Sequence, residues 1–311
     1  MDAQYDVVIV GGGLAGLTAG MYAGRYGLKT VVIEEMMGGA QVINLENIAN
    51  FPGFPQGVMG AELAPLVQEQ AMNAGSEMCL GEVISIEIDG EYRIVATTDH
   101  RYRTKCVIVS AGSRQKKMGI PGEEEFNGRG VSHCASCDGP MYAREVVGVI
   151  GGGDSALDEA LALTNYVDRV ILFHRSEQFQ AQKVLQNRVM SNPKIDVVWN
   201  TNVEAILGDS TVTGAQVRNV VTNLSQKVEL SGMFIYVGLE PNSSFVKSTL
   251  KIDAVGHIPV NLWMETEISG IYAVGDIRQN SSSQLVSAAG DGATAAVAAF
   301  RYIISRSWAN E

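Results

Sequence analysis

One unit occurs twice in this chain, and it restricts the fold more than any other feature. The stretch "YDVVIVGGGLAGLTAGMYAGRYGLKTVVIEE", residues 5–35, runs as strand, glycine turn, helix and second strand. The unbroken β-branched run Val7–Val10 predicts a strand covered on both faces. Gly11, Gly13 and Gly16 match G-x-G-x-x-G at the strand-to-helix turn, and Ala15, Ala19 and Ala23 form a small-residue stripe that lets the helix lie close on the sheet. Glu34 closes the next strand, where an acid meets a ribose in such units. The pattern returns as "VVGVIGGGDSALDEALALTNYVDRVILFHRS", residues 146–176, with Gly151, Gly153 and Ala156 as G-x-G-x-x-A. Free N–H groups at each helix start attract a pyrophosphate, and a side chain there would obstruct it. Two copies in full strand–turn–helix–strand context predict an α/β protein with two Rossmann-like, three-layer nucleotide-binding domains. The competing reading keeps both turns as scaffold only.

No low-complexity linker separates the two units, so they are expected to interleave, the first domain resuming near Pro241-Asn242. The closing third, "GIYAVGDIRQNSSSQLVSAAGDGATAAVAAFRYI", predicts a short strand ending at Gly275-Asp276, a polar loop and an Ala-rich helix from about Ser283. Asp276 suits a sugar or ribityl hydroxyl, or else serves as a turn residue or N-cap. With 311 residues the chain is long enough for two domains. Its net charge of −11 argues against nucleic acid as a partner. No apolar run approaches the roughly 18 residues of a membrane span, and a first strand at Tyr5 leaves no room for a cleavable leader. The expectation is a soluble, cytoplasmic protein.

Four cysteines are too few for a disulfide scaffold in a chain of this length. Cys79 and Cys106 lie in apolar, strand-like contexts and read as packing residues. Cys134 and Cys137, in "HCASCDGP", read differently. A zinc site needs about four ligands, and the chain has neither a second C-x-x-C nor an H-x₃₋₅-H. A static disulfide closing so short a loop stabilises little. Thiol–disulfide exchange is the expectation, with no metal.

With these features placed, the chain closely resembles the low-molecular-weight thioredoxin reductases. The resemblance runs through "GGGLAG", "NFPGFP", "SAGSR", "GRGVSHCASCDG", "GGGDSALDEA", "YVGLEPN" and "AVGDIR", in that order along nearly the whole chain. It implies an FAD domain from residues 1–113 and 242–311, an inserted NAD(P)H-type domain from 114–241, a homodimer, and rotation between domains about hinges near 113–117 and 241–244. It implies FAD contacts at Gly11, Gly13, Leu14, Ala15, Glu34, Gln41, Asn50, Ala111, Gly112, Gly275, Asp276, Gln284 and Ala288. Nicotinamide-type contacts fall on Gly151, Gly153, Asp154, Ser155, Ala156, His174, Arg175 and Ser176. By the same resemblance Cys137 faces the flavin, Cys134 attacks the disulfide of thioredoxin or a similar small redox protein, and Asp138 is the general acid.

The chain departs from this family after the second Rossmann strand. NADPH-dependent members carry His-Arg-Arg and then another Arg, whose guanidiniums bind the 2′-phosphate. Here "FHRSEQFQAQ" puts Ser176 and Gln180 at the arginine positions and adds Glu177. The donor is therefore expected to be NADH, NADPH held by Arg175 alone, or a non-pyridine donor such as ferredoxin. Two rivals share these motifs: a dithiol oxidase passing electrons to oxygen, and a non-catalytic flavin sensor. Smaller departures are Pro140-Met141-Tyr142 where aromatics usually follow "CDG", and Ser283 where an Arg is usual. Arg129 stands at a position the family uses for docking. Trp308, near the C-terminus, reads as packing or disorder, or else as a cover for the flavin or a part of the dimer contact.

Overall fold

The computed structural model describes residues 3–35 and 40–305. The chain forms two compact units, one from 1–114 with 240–311 and the other from 115–239.

The first unit begins with β1 (Ala3–Val10), α1 (Leu14–Arg25) and β2 (Thr30–Glu34). Then come α2 (Gly60–Asn73), β3 (Glu77–Leu80), β4 (Val83–Asp89), β5 (Tyr92–Thr97) and β6 (Arg101–Val109). The chain leaves this unit along β7 (Ser113–Gln115). The second unit holds β8 (Val131–Ser132), α3 (Ala135–Asp138), β9 (Val146–Gly151), α4 (Asp154–Leu163), β10 (Arg169–Phe173), α5 (Lys183–Ser191) and β11 (Ile195–Val198). It ends with β12 (Thr201–Gly208), β13 (Val212–Asn219), β14 (Ser225–Glu229) and β15 (Gly232–Tyr236). The return strand β16 (Leu239–Pro241) pairs with β7, and β17 (Ile271–Ala273) and α6 (Leu285–Ile304) complete the first unit.

The first sheet has the order β3-β2-β1-β6-β5-β4, with β17 also paired to β6. Around β1 the pairing is parallel, Val8 lying opposite Val31 and Val107. Side chains alternate across such a strand. Val7 and Ile9 meet Ala15, Ala19, Ala295 and Ala296 of the helical layer, while Val8 and Val10 meet Val31, Val107, Leu250 and Ile258 on the other face. Both faces are covered, which is why the run carries no polar residue. Close approach of α1 and α6 depends on Gly292, where a Cβ would stand 2.1 Å from the Ala15 carbonyl oxygen. The helix predicted from about Ser283 starts at Leu285, with Gln284 at its N-cap.

The second unit repeats the logic. Its parallel sheet has the order β11-β10-β9-β15-β8, with Val149 opposite Leu172 and Phe234. Val147, Val149, Leu157 and Leu172 pack on the helical side, and Ile150, Phe173, Met233 and Ile235 pack towards the antiparallel sheet β12-β13-β14. Among the described residues no helix is long and apolar enough to cross a membrane.

Candidate active site

In the first unit the strand β1 delivers the chain into a turn that only glycine fits. Gly11 has φ +105°, and a Cβ there would lie 2.4 Å from the Ser110 carbonyl oxygen. At Gly16 a Cβ would come within 1.9 Å of the Gly11 carbonyl oxygen, so helix and turn meet backbone to backbone. Gly13 is the extended N-cap of α1, with no side chain capping the helix, and Leu14 and Ala15 are buried in its first turn. Glu34, at the end of β2, accepts from the Gly12 N–H and from the Glu35 N–H at 2.8 Å. A carboxylate is thus held beside the glycine turn.

Residues far apart in the chain converge on this turn. A Cβ on Gly275 would stand 3.2 Å from the Ala15 Cβ and 3.8 Å from the Ala288 Cβ. The Asn50 side-chain amide donates to Gln284 Oε1 at 3.0 Å across 234 positions. Ala111 and Gly112 both offer carbonyls to Asn242, from whose Nδ2 and N–H they accept at 2.9 and 3.0 Å. Asp276 lies in a tight turn, accepting from the Ser281 hydroxyl at 3.3 Å and at longer range, 3.5 Å, from Ser113. Burial holds its carboxyl above the ordinary aspartate value, an effect that the two hydroxyls partly offset. The Gln41 side chain and Trp308 lie outside the described residues.

The turn carrying Asp276 has a support that sequence patterns do not disclose. Asp291, on α6, accepts from Arg278 Nε at 2.6 Å, from Arg278 Nη2 at 3.0 Å and from the Gly275 N–H at 3.1 Å. Both side chains are largely buried. Breaking such a pair leaves a desolvated charge behind. Asp291→Ala is therefore expected to cost about 3–5 kcal/mol of stability, read as a lower midpoint in chemical denaturation.

In the second unit Gly151 has φ +156°, and its missing Cβ would clash with the Tyr236 carbonyl oxygen and the Ala156 Cβ, each 2.5 Å away. Gly152 lies under the His174 ring, whose Cε1 would be 2.1 Å from a Cβ. The ring nitrogens Nδ1 and Nε2 lie 2.9 Å from the Gly151 and Gln178 carbonyl oxygens respectively, so the segment after β10 lies against the glycine turn. The same segment is anchored by the Gln180 N–H to the Gly152 carbonyl at 2.9 Å, and by Gln182, whose N–H and side-chain amide both donate to Asp154 at 2.7 Å. Arg175, Ser176, Glu177 and Gln180 are exposed, as is Ser155 at the helix start.

Cys134 and Cys137 form a disulfide with Cα atoms 5.4 Å apart. Cys134 is the N-cap of the single turn α3, and the Cys137 N–H points at its sulfur at 3.2 Å. The pair is held on β8 by Ser132, whose hydroxyl accepts from the Cys134 N–H at 3.1 Å. His133 turns away, its Nδ1 3.0 Å from the Ile235 carbonyl. Asp138 makes no capping hydrogen bond, so its carboxylate is not committed to a helix end. Cys106 is fully buried, which pushes its thiol well above the usual range. Among the described residues no group of three or more His, Cys, Asp or Glu is placed to hold a metal ion.

Residues 5–293 match the family model "Pyridine nucleotide-disulphide oxidoreductase". The thioredoxin reductase of Treponema pallidum is 40% identical over 303 residues, 97% of this chain and 98% of the relative. The chain belongs to the low-molecular-weight thioredoxin reductase family. It is an oxidoreductase of the disulfide-reducing type, and it carries a Cys134–Cys137 disulfide. The crystal structure of Lactococcus lactis thioredoxin reductase has a TM-score of 0.95 at 40% identity, covering 97% of this chain and 99% of that one. More distant is a ferredoxin-flavin thioredoxin reductase from Clostridium acetobutylicum, with 28% identity and a TM-score of 0.54 over 98% of this chain and 100% of that one.

The glycine turn of the first unit fits the flavin dinucleotide that the family implies. No side chain occupies the start of α1, and an acid stands at the end of β2 where a ribose diol belongs. Sequence reasoning missed Asp291, Arg278, Asn242, Glu159 and Tyr236. Arg278 and Glu159 lie inside the motifs "AVGDIR" and "GGGDSALDEA", but nothing in their spacing shows what they contact.

Proposed function

We propose that the first unit binds FAD and that the second binds a pyridine nucleotide, with NADH preferred over NADPH, and carries the thiol pair that reduces thioredoxin or a similar protein disulfide. FAD, when bound, supplies an acceptor for a hydride and a two-electron donor to a disulfide. Gly11, Gly13, Leu14 and Ala15 leave the pyrophosphate its N–H groups, Glu34 holds the ribose, and Asp276 takes ribityl hydroxyls. Gln41, Asn50, Ala111, Gly112, Gly275, Gln284 and Ala288 line the remainder. Cys137 receives the electrons, Cys134 attacks the partner disulfide, and Asp138 protonates the departing thiolate. The active form is a cytoplasmic homodimer whose units rotate during turnover.

One observation carries the nucleotide reading: Gly153. Its φ of −92° suits any residue, and a Cβ there would have nothing within 4 Å. The protein's own packing therefore does not demand a glycine at the exposed N-cap of α4. A pyrophosphate approaching the open N–H groups of Asp154, Ser155 and Ala156 does. NADH is preferred because Ser176 and Gln180 offer no cation to a 2′-phosphate, and Glu177 repels one.

Anaerobic titration of the flavoprotein with NADH, NADPH and reduced ferredoxin in separate cells tests this. NADH is expected to bleach the flavin at the lowest concentration. Tighter action of NADPH would overturn the specificity argument, and bleaching by ferredoxin alone would overturn the nucleotide reading. Rapid peroxide formation from a small dithiol, with no response to nucleotide, would select the oxidase.

A further inference from the structure

A carboxylate anchors the turn between the two cysteines from outside. Glu159, on the second turn of α4, accepts from the Ala135 N–H at 2.8 Å and from the Tyr236 hydroxyl at 2.9 Å, both on Oε2. Ala135 follows Cys134 directly and is fully buried, and Tyr236, at the end of β15, is only 6% exposed. Burial, with Glu159 beside it, pushes the Tyr236 phenol far above its usual range, so it remains a donor to Glu159. Three elements that carry the site, α3, α4 and β15, therefore meet at a single oxygen atom.

We propose that Glu159 is a positioning residue for the redox pair, holding the first N–H of the cysteine turn and setting a fixed negative charge against ionisation of Cys134. The inference rests on the interchange role proposed for Cys134. The S–S bond, on receiving two electrons and two protons, gives two thiols. Cys134 must then release one proton to solvent to become a nucleophile. Its sulfur has two donors near it, the Cys137 N–H at 3.2 Å and the Ser136 hydroxyl at 3.4 Å. The Ala135 N–H, the first donor of the turn, is given to Glu159. A one-turn helix has almost no dipole to compensate. Glu159 thus opposes the thiolate by its charge. Titratable groups around the turn include Asp138 from α3 itself, Asp158 beside Glu159 on α4, Tyr236 from β15, Tyr142 from the following turn, Tyr166 after α4 against Gly139, and His133, which faces the Ile235 carbonyl. Of these, Asp138 and Asp158 are the further acidic groups.

The test measures the pH dependence of Cys134 alkylation by iodoacetamide, read by peptide mass in FAD-loaded, full-length protein with Cys137→Ser to keep the thiol free. Glu159→Gln keeps an acceptor for both donors and removes the charge. It is expected to lower the alkylation midpoint by about one pH unit. Tyr236→Phe removes a donor from the carboxylate and is expected to raise the midpoint, the opposite direction. It also keeps the test available if the glutamine variant fails to fold. An unchanged midpoint in Glu159→Gln, or a shift of both variants in one direction as mere loosening would produce, overturns the proposal. Because alkylation needs no turnover, failure here is distinguishable from failure of the proposed thiol roles, which Cys134→Ser tests through disulfide turnover.

Discussion

Cys134→Ser is expected to lose disulfide turnover by a factor on the order of 10⁴ or more while nucleotide-driven reduction of the flavin persists. Serine is close in size, and its hydroxyl keeps the N-cap position of α3, so the turn is retained. What disappears is the thiolate, which no neighbouring side chain can replace. Cys79 and Cys106 lie on β3 and β6 of the other compact unit, and Cys106 is fully buried. Rapid-mixing absorbance of the flavin beside a thioredoxin-coupled assay separates the two half-reactions. Persistent turnover in this variant would assign the interchange role to another group. Asp138→Asn is expected to have a smaller effect, about 10²-fold on turnover, as suits loss of a general acid rather than of a nucleophile. Its carboxylate caps no helix, so the loss would report proton transfer more than folding.

The second large effect concerns the nucleotide. Installing Ser176→Arg and Gln180→Arg together is expected to raise kcat/KM for NADPH by about 100-fold or more, at little cost to NADH. Each charge-assisted hydrogen bond to a phosphate contributes roughly 1.5–3 kcal/mol, and 1.4 kcal/mol is a factor of ten. Both positions are exposed, so the new side chains need displace nothing. The backbone that would carry them is already fixed, by the Gln180 N–H on Gly152 and by the His174 ring on the Gly151 and Gln178 carbonyls. Neutralising Glu177 as well should add to the gain. Steady-state kinetics with the two nucleotides check this, and an unchanged kcat/KM for NADPH would show that the 2′ position is read elsewhere.

These two expectations differ in how far the chain alone supports them. The cysteine pair was legible because Cys-x-x-Cys with a following acid is a local pattern, and the structure joins the two as a disulfide. The strands were equally legible, since Val7 to Val10 alternate between two covered faces and no polar residue fits either. Gly11 and Gly16 were readable as a turn, although only coordinates reveal that a Cβ at Gly16 would strike the Gly11 carbonyl. Asp291 was not legible at all. It lies in the Ala-rich stretch of α6, and its partner Arg278 is thirteen positions earlier, off any helical period. Glu159 was equally silent. Its place in α4 reads as an ordinary helical acid, and its target, the Ala135 N–H, is a backbone group that no sequence pattern can mark.

By itself the sequence determined the two glycine-turn Rossmann units, the close Cys134–Cys137 pair, and the serine and glutamine at positions 176 and 180. Each of these is a short-range steric or chemical demand, met by residues within a few positions of one another. Only the tertiary structure decided that Asn50 meets Gln284, that Arg278 is neutralised by Asp291, and that Glu159 holds the cysteine turn. Such contacts join groups with no fixed spacing along the chain. They form when packed layers bring distant backbone segments within hydrogen-bond reach, and a buried polar group must then find a partner there or remain unpaired.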